Sequence, residues 1–347
     1  MPRYALLVEP SANRVYAESS VALTEAELRI FDARALGGRL GEVRAETLGG
    51  VPYLTFESEA LTPRDVAFLS QVSTAFALFE LEGELLRPVA LTPLDRYDDD
   101  LLTVLKYAGK TNETFTHLLL NATLLGMADP AGMLDRPLRI LDPMCGRGTT
   151  LNLALMCGYD AAGVDLDRKD FDAYAAFLGS WLKRKRLKHH LEVTPVRRER
   201  RLVARRLEAT LAATKEDHAA GRVQRVSVVN ADTVKAGEFF KASSFDAIVT
   251  DAPYGVQHGS RTEERGLARR PLDLVRAALP GWVGLLRPGG ALGISWNTRV
   301  GAREGLAEVL AGAGLEVLAG GGYDALRHRV DQAITRDVIV ARRPRNG

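Results

Sequence analysis

The stretch Leu138-Arg-Ile-Leu-Asp142-Pro-Met-Cys-Gly-Arg-Gly-Thr149 decides the fold. Residues 138–142 read as a strand, residues 149–156 as a helix, and a glycine-bearing loop joins them. Gly146 and Gly148 have no Cβ, so the backbone there can approach a ligand closely. A nicotinamide fingerprint needs G-x-G-x-x-G, and this loop lacks the third glycine. Asp142 at the strand end would repel a pyrophosphate. It suits a cationic ligand, such as the amino group of a methionine moiety. The loop therefore argues for S-adenosylmethionine over NAD.

Working outward, the same strand–loop–helix unit repeats. Residues 160–164, 226–230, 245–250 and 291–296 read as strands. Residues 170–183, 272–286 and 304–313 read as helices, and Arg287-Pro-Gly-Gly290 closes the second of these. Two final strands near 315–318 and 333–341 are placed as neighbours. The expected fold is α/β: a Rossmann-like class I methyltransferase with a mostly parallel seven-stranded sheet, plus a smaller N-terminal α+β domain. Ligands of such sheets sit at the carboxyl ends of the strands.

Asp165 ends the second strand, 19 positions after Gly146. A carboxylate there accepts hydrogen bonds from ribose hydroxyls. Asp232 follows the third strand and can accept from an adenine amine, although capping of a following helix is a competing role. Thr250-Asp-Ala-Pro-Tyr-Gly255 follows the fourth strand. Amino-directed methyltransferases place Asp/Asn-Pro-Pro-aromatic here. The exocyclic amine of a base is a poor nucleophile, because its lone pair is conjugated to the ring. Asp251 can accept one amine hydrogen and help remove the proton. The Ala252 carbonyl can accept the other, Pro253 stiffens the loop, and Tyr254 can stack on the base.

These segments resemble the RNA-methylase family that contains the tRNA guanosine-N2 methyltransferases, those acting at guanosine 10. Tyr107-Ala-Gly-Lys-Thr-Asn-Glu113 is similar to that family's Tyr-x-Gly-Asn-Thr-Ser segment. Asp142-Pro-Met-Cys-Gly-Arg-Gly is similar to its Asp-Pro-Phe-Cys-Gly-Thr-Gly. Thr250-Asp-Ala-Pro-Tyr-Gly-Val256, with Gly259-Ser-Arg-Thr262 behind it, is similar to its Thr-Asp-Pro-Pro-Tyr-Gly and trailing basic loop. The resemblance spans roughly residues 105–300 and concerns the catalytic domain only. It implies that Lys110, Thr111 and Asn112 lie near the methionine end of the cofactor. It implies a cofactor site of Asp142, Cys145, Gly146, Gly148, Thr149, Asp165, Leu166, Ala231 and Asp232. Asp251, Ala252, Pro253 and Tyr254 would bind and activate the amine. Two departures stand out: Ala252 replaces the first proline, and residues 1–92 show no motif of the THUMP RNA-binding domain usual in that family.

Length and composition fit this reading. The chain has 347 residues, 46% hydrophobic and 26% charged, an ordinary globular balance that allows two domains. We divide it at the acidic stretch Asp95-Arg-Tyr-Asp-Asp-Asp100, read as a solvated turn. Residues 1–94 form an α+β domain of unassigned role, 95–105 a linker, and 106–347 the catalytic domain with a basic insertion at 183–225. In the N-terminal part, residues 4–8 read as a strand and 24–35 as a helix capped by Thr24. Residues 43–57 read as a hairpin around Gly49-Gly50, Thr62-Pro63 opens another helix, and residues 75–91 read as strand broken at Gly83. Residues 113–127 read as a buried helix. Cys145 and Cys157 are too few for a disulfide scaffold and are read as reduced thiols. No signal peptide or membrane span is legible, which points to the cytoplasm.

Net charge is only +2, yet residues 183–206 hold eleven Lys or Arg against two Glu. Lys183, Arg184, Lys185, Arg186, Arg197 and Arg198, with Arg261 beyond the catalytic loop, are the expected RNA contacts. A solvated insertion is the plainer alternative. His189-His190 has no partners at ligand spacing, so no metal is expected. Trp181, Trp282 and Trp296 are read as core. The function expected is methylation of an exocyclic base amine in RNA, foremost guanosine N2 of tRNA. A peptide, small-metabolite or DNA-adenine substrate, or a non-catalytic RNA-binding protein, are the alternatives. The sequence leaves open whether a small activating protein partner is required.

Overall fold

The computed structural model describes residues 1–9, 14–105, 110–252, 271–332 and 334–345. Strands β1 (Arg3–Val8), β2 (Arg44–Leu48), β3 (Val51–Glu57), β4 (Ala75–Glu82) and β5 (Leu85–Val89) form an antiparallel sheet in the order β2-β3-β1-β4-β5. The hairpin expected at Gly49-Gly50 is β2–β3, paired from Leu48↔Val51 to Arg44↔Thr55. The break at Gly83 separates β4 from β5. Thr62 caps the helix Pro63–Leu69 through a reciprocal bond pair with Asp65.

The first helix corrects the expectation. It runs Arg14–Phe31, so Thr24 lies inside it rather than at its start. No glycine or proline interrupts residues 14–31, and the Thr24 hydroxyl donates back to the Ser20 carbonyl at 2.6 Å. The same hydroxyl meets Thr74 at 2.6 Å, which holds the helix to the segment before β4. Leu23, Ala26 and Ile30 recur at helical spacing and are buried.

The second sheet holds β6 (Arg139–Asp142), β7 (Asp160–Asp165), β8 (Lys188–Arg198), β9 (Arg201–Ala212), β10 (Gln224–Asn230), β11 (Phe245–Asp251), β12 (Leu286–Asn297), β13 (Glu316–Val317), β14 (His328–Arg329) and β15 (Thr335–Arg342). Their order is β13-β15-β12-β11-β6-β7-β10-β9-β8, with β14 beside β15. β12, β11, β6, β7 and β10 are mutually parallel; the remaining strands pair antiparallel. The chain starts at β6 in the middle, builds outward to β7 and β10, and then returns to β11 and β12 on the other side. That reversal falls between β6 and β11, whose carboxyl ends are the usual ligand position of a doubly wound sheet.

The sheet is mixed and has ten strands where seven, mostly parallel, are expected. The basic insertion accounts for two of the extra strands. Half-buried positions recur between exposed ones along Lys188–Val196, and Ala204, Leu207, Ala209 and Leu211 are buried in the return strand; the two fold as the hairpin β8–β9 against β10. β12 also begins at Leu286, so Arg287-Pro-Gly-Gly290 lies within a strand rather than closing a helix. The register against β11 shifts between Phe245 and Ala247, which accommodates the glycines as an irregularity. The final strands β13 and β15 do pair as neighbours.

The acidic stretch is also not a free turn. Asp100 starts a one-turn helix, Asp100–Thr103, and accepts from the Trp181 indole at 2.8 Å and from Arg184 at 3.0 Å. Lys185 bridges Asp98 at 2.6 Å and Asp100 at 2.8 Å. Trp181, Trp282 and Trp296 are buried, as expected of core residues.

One continuous apolar core runs from the first sheet (Tyr4, Leu6, Phe56) through the helix Glu113–Leu125 to one face of the second sheet (Ile140, Val228, Val340). A second core on the opposite face gathers Leu141, Ile248, Trp282 and Ile294. Glu27 lies fully buried where the first part meets the second. It accepts from the Ser73 hydroxyl at 2.6 Å and from the Asn121 amide at 2.8 Å. Burial pushes its pKa from 4.5 up to about 7, against the lowering effect of those hydrogen bonds.

The folded state therefore binds a proton here between pH 4.5 and about 7 that the unfolded chain has released. A raised carboxyl pKa makes stability fall as pH rises through that window. Glu27→Gln, which stays neutral and keeps both an acceptor and a donor, flattens the slope and raises the melting temperature above pH 7 relative to wild type. Thermal melts of both proteins across a pH series check this; parallel curves would remove Glu27 as the titrating group.

Candidate active site

The carboxyl ends of β6, β7, β10 and β11 carry the residues that the sequence singles out, and the backbone explains their positions. After β6 the chain turns through Gly146 (φ 50°) and Gly148 (φ 81°) into the helix Thr149–Met156. A Cβ on Gly148 would run into the Tyr174 ring, whereas one on Gly146 would meet nothing within 4 Å. Gly148 is thus fixed by packing, and Gly146 faces open space. The Cys145 amide donates to the Val164 carbonyl at 3.0 Å, and the Gly146 amide to Asp165 Oδ2 at 2.7 Å. Asp165 Oδ1 accepts from the Asp167 amide at 2.8 Å. One carboxylate therefore clamps the glycine loop to the end of β7. Burial raises its pKa to about 6. Leu166 beside it is 72% exposed, an apolar side chain left open just past the end of β7.

Asp142 is buried and accepts from the Met144 amide at 3.0 Å and from Thr250 Oγ1 at 2.9 Å. Burial raises its pKa to about 7. The Thr250 bond ties the end of β6 to β11, one residue before Asp251. Thr149 is half-buried at the start of the following helix. Asn230, which the sequence reading did not single out, donates from its amide to the Asp165 and Leu166 carbonyls at 3.0 and 3.1 Å. The Ala231 amide donates to the Asp165 carbonyl at 3.0 Å. Asp232 caps the short 3₁₀ helix Thr233–Glu238 through the Val234 amide at 3.0 Å, the competing role named for it.

Asp251 ends β11 in a polar cage. Thr111 Oγ1 donates to its Oδ2 at 2.7 Å, and Ser295 Oγ to its Oδ1 at 2.7 Å. The Arg336 guanidinium of β15 lies 3.7 Å from Oδ2. Ser295 and Arg336 are missed by the sequence reading. Both sit inside strands, and only the pairing of β12 with β11 and β15 brings them here. The Ala252 amide donates to the Ser295 carbonyl at 2.8 Å, which fixes the peptide following Asp251. Lys110 donates to the Leu102 carbonyl and pairs with Glu113, and Asn112 caps the helix Glu113–Leu125. Of these three, Thr111 is the one placed on Asp251. A cavity of about 270 Å³ lined by Lys110, Thr111, Asn112, His328, Arg329 and Arg336 adjoins the cage.

Pro253, Tyr254, Tyr107, His258 and Arg261 lie outside the described residues, as do Arg265, Arg269 and Arg270. The basic segment is divided by the hairpin. Lys183, Arg184, Lys185 and Arg186 lie at the amino edge of the sheet, where the helix Arg168–Arg184 ends. Arg197 and Arg198 lie at the carboxyl edge, because β8 runs the length of the sheet between them. The expected RNA contacts of residues 183–198 therefore do not form one patch. A strand from Lys188 to Arg197, at ~3.3 Å per residue, separates the groups by about 30 Å. Among the described residues no helix is long and apolar enough to cross a membrane.

Residues 118–287 match the family model described as UPF0020: RMKL-like, methyltransferase domain. No curated protein matches the chain. Among solved structures it is similar to a TehB-like SAM-dependent methyltransferase from Corynebacterium glutamicum, with 18% identity over 62% of this chain and 86% of that chain and a TM-score of 0.32. It is also similar to the N-methyltransferase NodS from Bradyrhizobium japonicum, with 15% identity, 66% and 94% coverage and a TM-score of 0.38. The 1,6-didemethyltoxoflavin-N1-methyltransferase of Burkholderia thailandensis shows 17% identity, 69% and 93% coverage and a TM-score of 0.35.

Proposed function

We propose that this chain, whose residues 118–287 match the model of the UPF0020, RMKL-like methyltransferase domain, is an S-adenosylmethionine-dependent methyltransferase that acts on an exocyclic amine of an RNA base, and most narrowly on N2 of guanosine in tRNA. The observation that carries the reading is the caged Asp251 carboxylate at the end of β11, joined through Thr250 to the Asp142 loop. A cytoplasmic site of action goes with it. So does the division into an N-terminal part (1–94), a connection (95–105) and a catalytic part (106–347).

The residues present fit the cofactor. The open space over Gly146, the Asp165 carboxylate and the exposed Leu166 make a cradle with a glycine surface, a hydroxyl acceptor and an apolar rim. Asp165 would hold the ribose hydroxyls and Leu166 would cover a flat ring. When bound, S-adenosylmethionine supplies an electrophilic methyl group on its sulfonium. The chain's own groups do the rest. Asp251 accepts an amine N–H, aims the nitrogen lone pair, and takes the proton that the nitrogen sheds. Thr111 and Ser295 stop the carboxylate from rotating, and the Arg336 guanidinium lies 3.7 Å from it. The Ala252 carbonyl, one peptide beyond the one that Ser295 fixes, is the second acceptor. Orientation of this kind is worth several orders of magnitude in rate.

The test is transfer of label from S-adenosylmethionine into bulk tRNA that lacks the modification, followed by nucleoside analysis. Labelled N2-methylguanosine is the expected product. Label in another nucleoside would move the position. No label in tRNA, with cofactor binding intact, would move the acceptor to DNA, a peptide or a small metabolite.

A further inference from the structure

We infer that the tip of the β8–β9 hairpin is an arm that grips the phosphodiester backbone of a polynucleotide acceptor beside the active site. This rests on the reading that the acceptor is a base within such a chain. The register places the arm. β9 pairs with β10 from Leu211↔Gln224 up to Arg205↔Asn230, and Asn230 is the carboxyl end of β10. Residues 201–204 and their β8 partners continue past that edge. Four residues at ~3.3 Å each give an overhang of about 13 Å. The overhang is on the side of the sheet edge where Asp165 and Asp251 lie. β9 is four strands from β11, about 19 Å at ~4.8 Å per strand, a span that a few nucleotides bridge.

The chemistry of the tip fits phosphate. Arg197, Arg198 and Arg201 flank a two-residue turn, Glu199–Arg200, that carries a fourth arginine. Both turn residues have positive φ, 47° and 64°. Hairpins favour that twist, but glycine or asparagine usually supplies it. Here the sequence accepts the strain and keeps side chains on the turn. Arg198 is anchored: it pairs with Glu238, donates to its carbonyl at 2.7 Å, and stacks 5.5 Å from the Phe239 ring. Arg206 donates to the Phe239 carbonyl at 2.7 Å. Arg198 next to the turn and Arg206 at the root of the overhang thus tie the arm to the segment Glu238–Phe239. Among the described residues, Arg197, Arg200 and Arg201 form no ion pair and are exposed. Leu202 and Val203 next to them are 59% and 42% exposed, apolar surface that sugar and base faces can cover. Three planar guanidiniums beside a small apolar patch suit a chain of phosphates carrying flat bases.

The other basic group does not serve this role. Arg184 and Lys185 are already paired with Asp98 and Asp100 at the far edge. The experiment measures binding of fluorescently labelled bulk tRNA across a salt series for wild type and two variants. The variants are Arg197→Gln/Arg200→Gln/Arg201→Gln and Lys183→Gln/Arg186→Gln. Three lost phosphate contacts lower the log–log salt slope by about 2 to 3 and raise Kd by at least about tenfold in the tip variant. The far-edge variant stays at the wild-type slope, and both keep the melting temperature and S-adenosylmethionine affinity. Equal binding by the tip variant, or an equal loss in the far-edge variant, would overturn the arm. Competition by an acidic peptide as effective as RNA at equal charge would overturn its partner. A wild-type protein that binds no RNA would remove the acceptor reading, and the arm with it, an outcome told apart by the wild-type control alone.

Discussion

Asp251→Ala lowers turnover by about 10²–10⁴-fold, the range that a positioned acid–base group supplies. S-adenosylmethionine affinity stays near the wild-type value, because the bonds described for Asp251 run to Thr111, Ser295 and Arg336, whereas those of the glycine loop run to Val164 and Asp165. The alanine variant has a second effect that must be separated. Arg336 is 5% exposed, and removing the carboxylate leaves a buried cation without it. Loss of that pairing lowers stability. Asp251→Asn resolves the two effects. The amide keeps an oxygen that can accept from the base amine and preserves the shape of the cage, but it cannot take a proton. Its turnover falls less than that of the alanine variant, and its melting temperature stays closer to wild type. Single-turnover rates, cofactor titration and melts on the three proteins decide the matter. Unchanged turnover in either variant, or loss of cofactor binding in the asparagine variant, would sink the role given to Asp251.

The contrast between Asp251 and its cage shows what a sequence discloses. Asp142, Asp165 and Asp251 were legible because each follows a strand and precedes a loop, and in a doubly wound sheet such positions share one edge. The strands β6, β7, β10 and β11 were legible from short apolar runs. Ser295 and Arg336 were not, because nothing local distinguishes a polar residue that faces a site from one that faces water. Their role depends on which strands pair, and β15 reaches Asp251 through an antiparallel partnership fixed by chain turns far away. The basic insertion failed for a related reason. Eleven positive charges in 24 residues look like one patch when counted, but β8 is a straight spacer that sends its ends to opposite edges. Its strand character was masked by charge, since a hairpin at a sheet edge needs only partial apolar alternation. Thr24 misled because a hydroxyl that caps a helix can also bond to the carbonyl four residues back.

The second large effect falls on cofactor binding. Asp165→Ala raises the S-adenosylmethionine Kd by about 10²-fold or more, since hydrogen bonds to a charged acceptor are worth about 1.5–3 kcal/mol each. Two losses combine. The ribose hydroxyls lose their acceptor, and the Gly146 amide loses the oxygen that holds the loop at 2.7 Å. Asp165→Asn keeps one acceptor oxygen and the shape, so its loss is smaller. The pH dependence has a definite sign. Burial raises the Asp165 pKa to about 6 in the free protein, and the ionised form is the one that accepts from two donors at once. Affinity is therefore full above pH 6 and falls by up to about tenfold per pH unit below it, as the proton must be expelled on binding. Asp142, raised to about 7, is the competing source of such a profile. Isothermal titration against pH separates them. If the profile flattens in Asp165→Asn, the titrating group is Asp165. If it persists there and vanishes in Asp142→Asn, the proton belongs to the loop's other carboxylate, and Asp165 acts through the loop's shape rather than its charge.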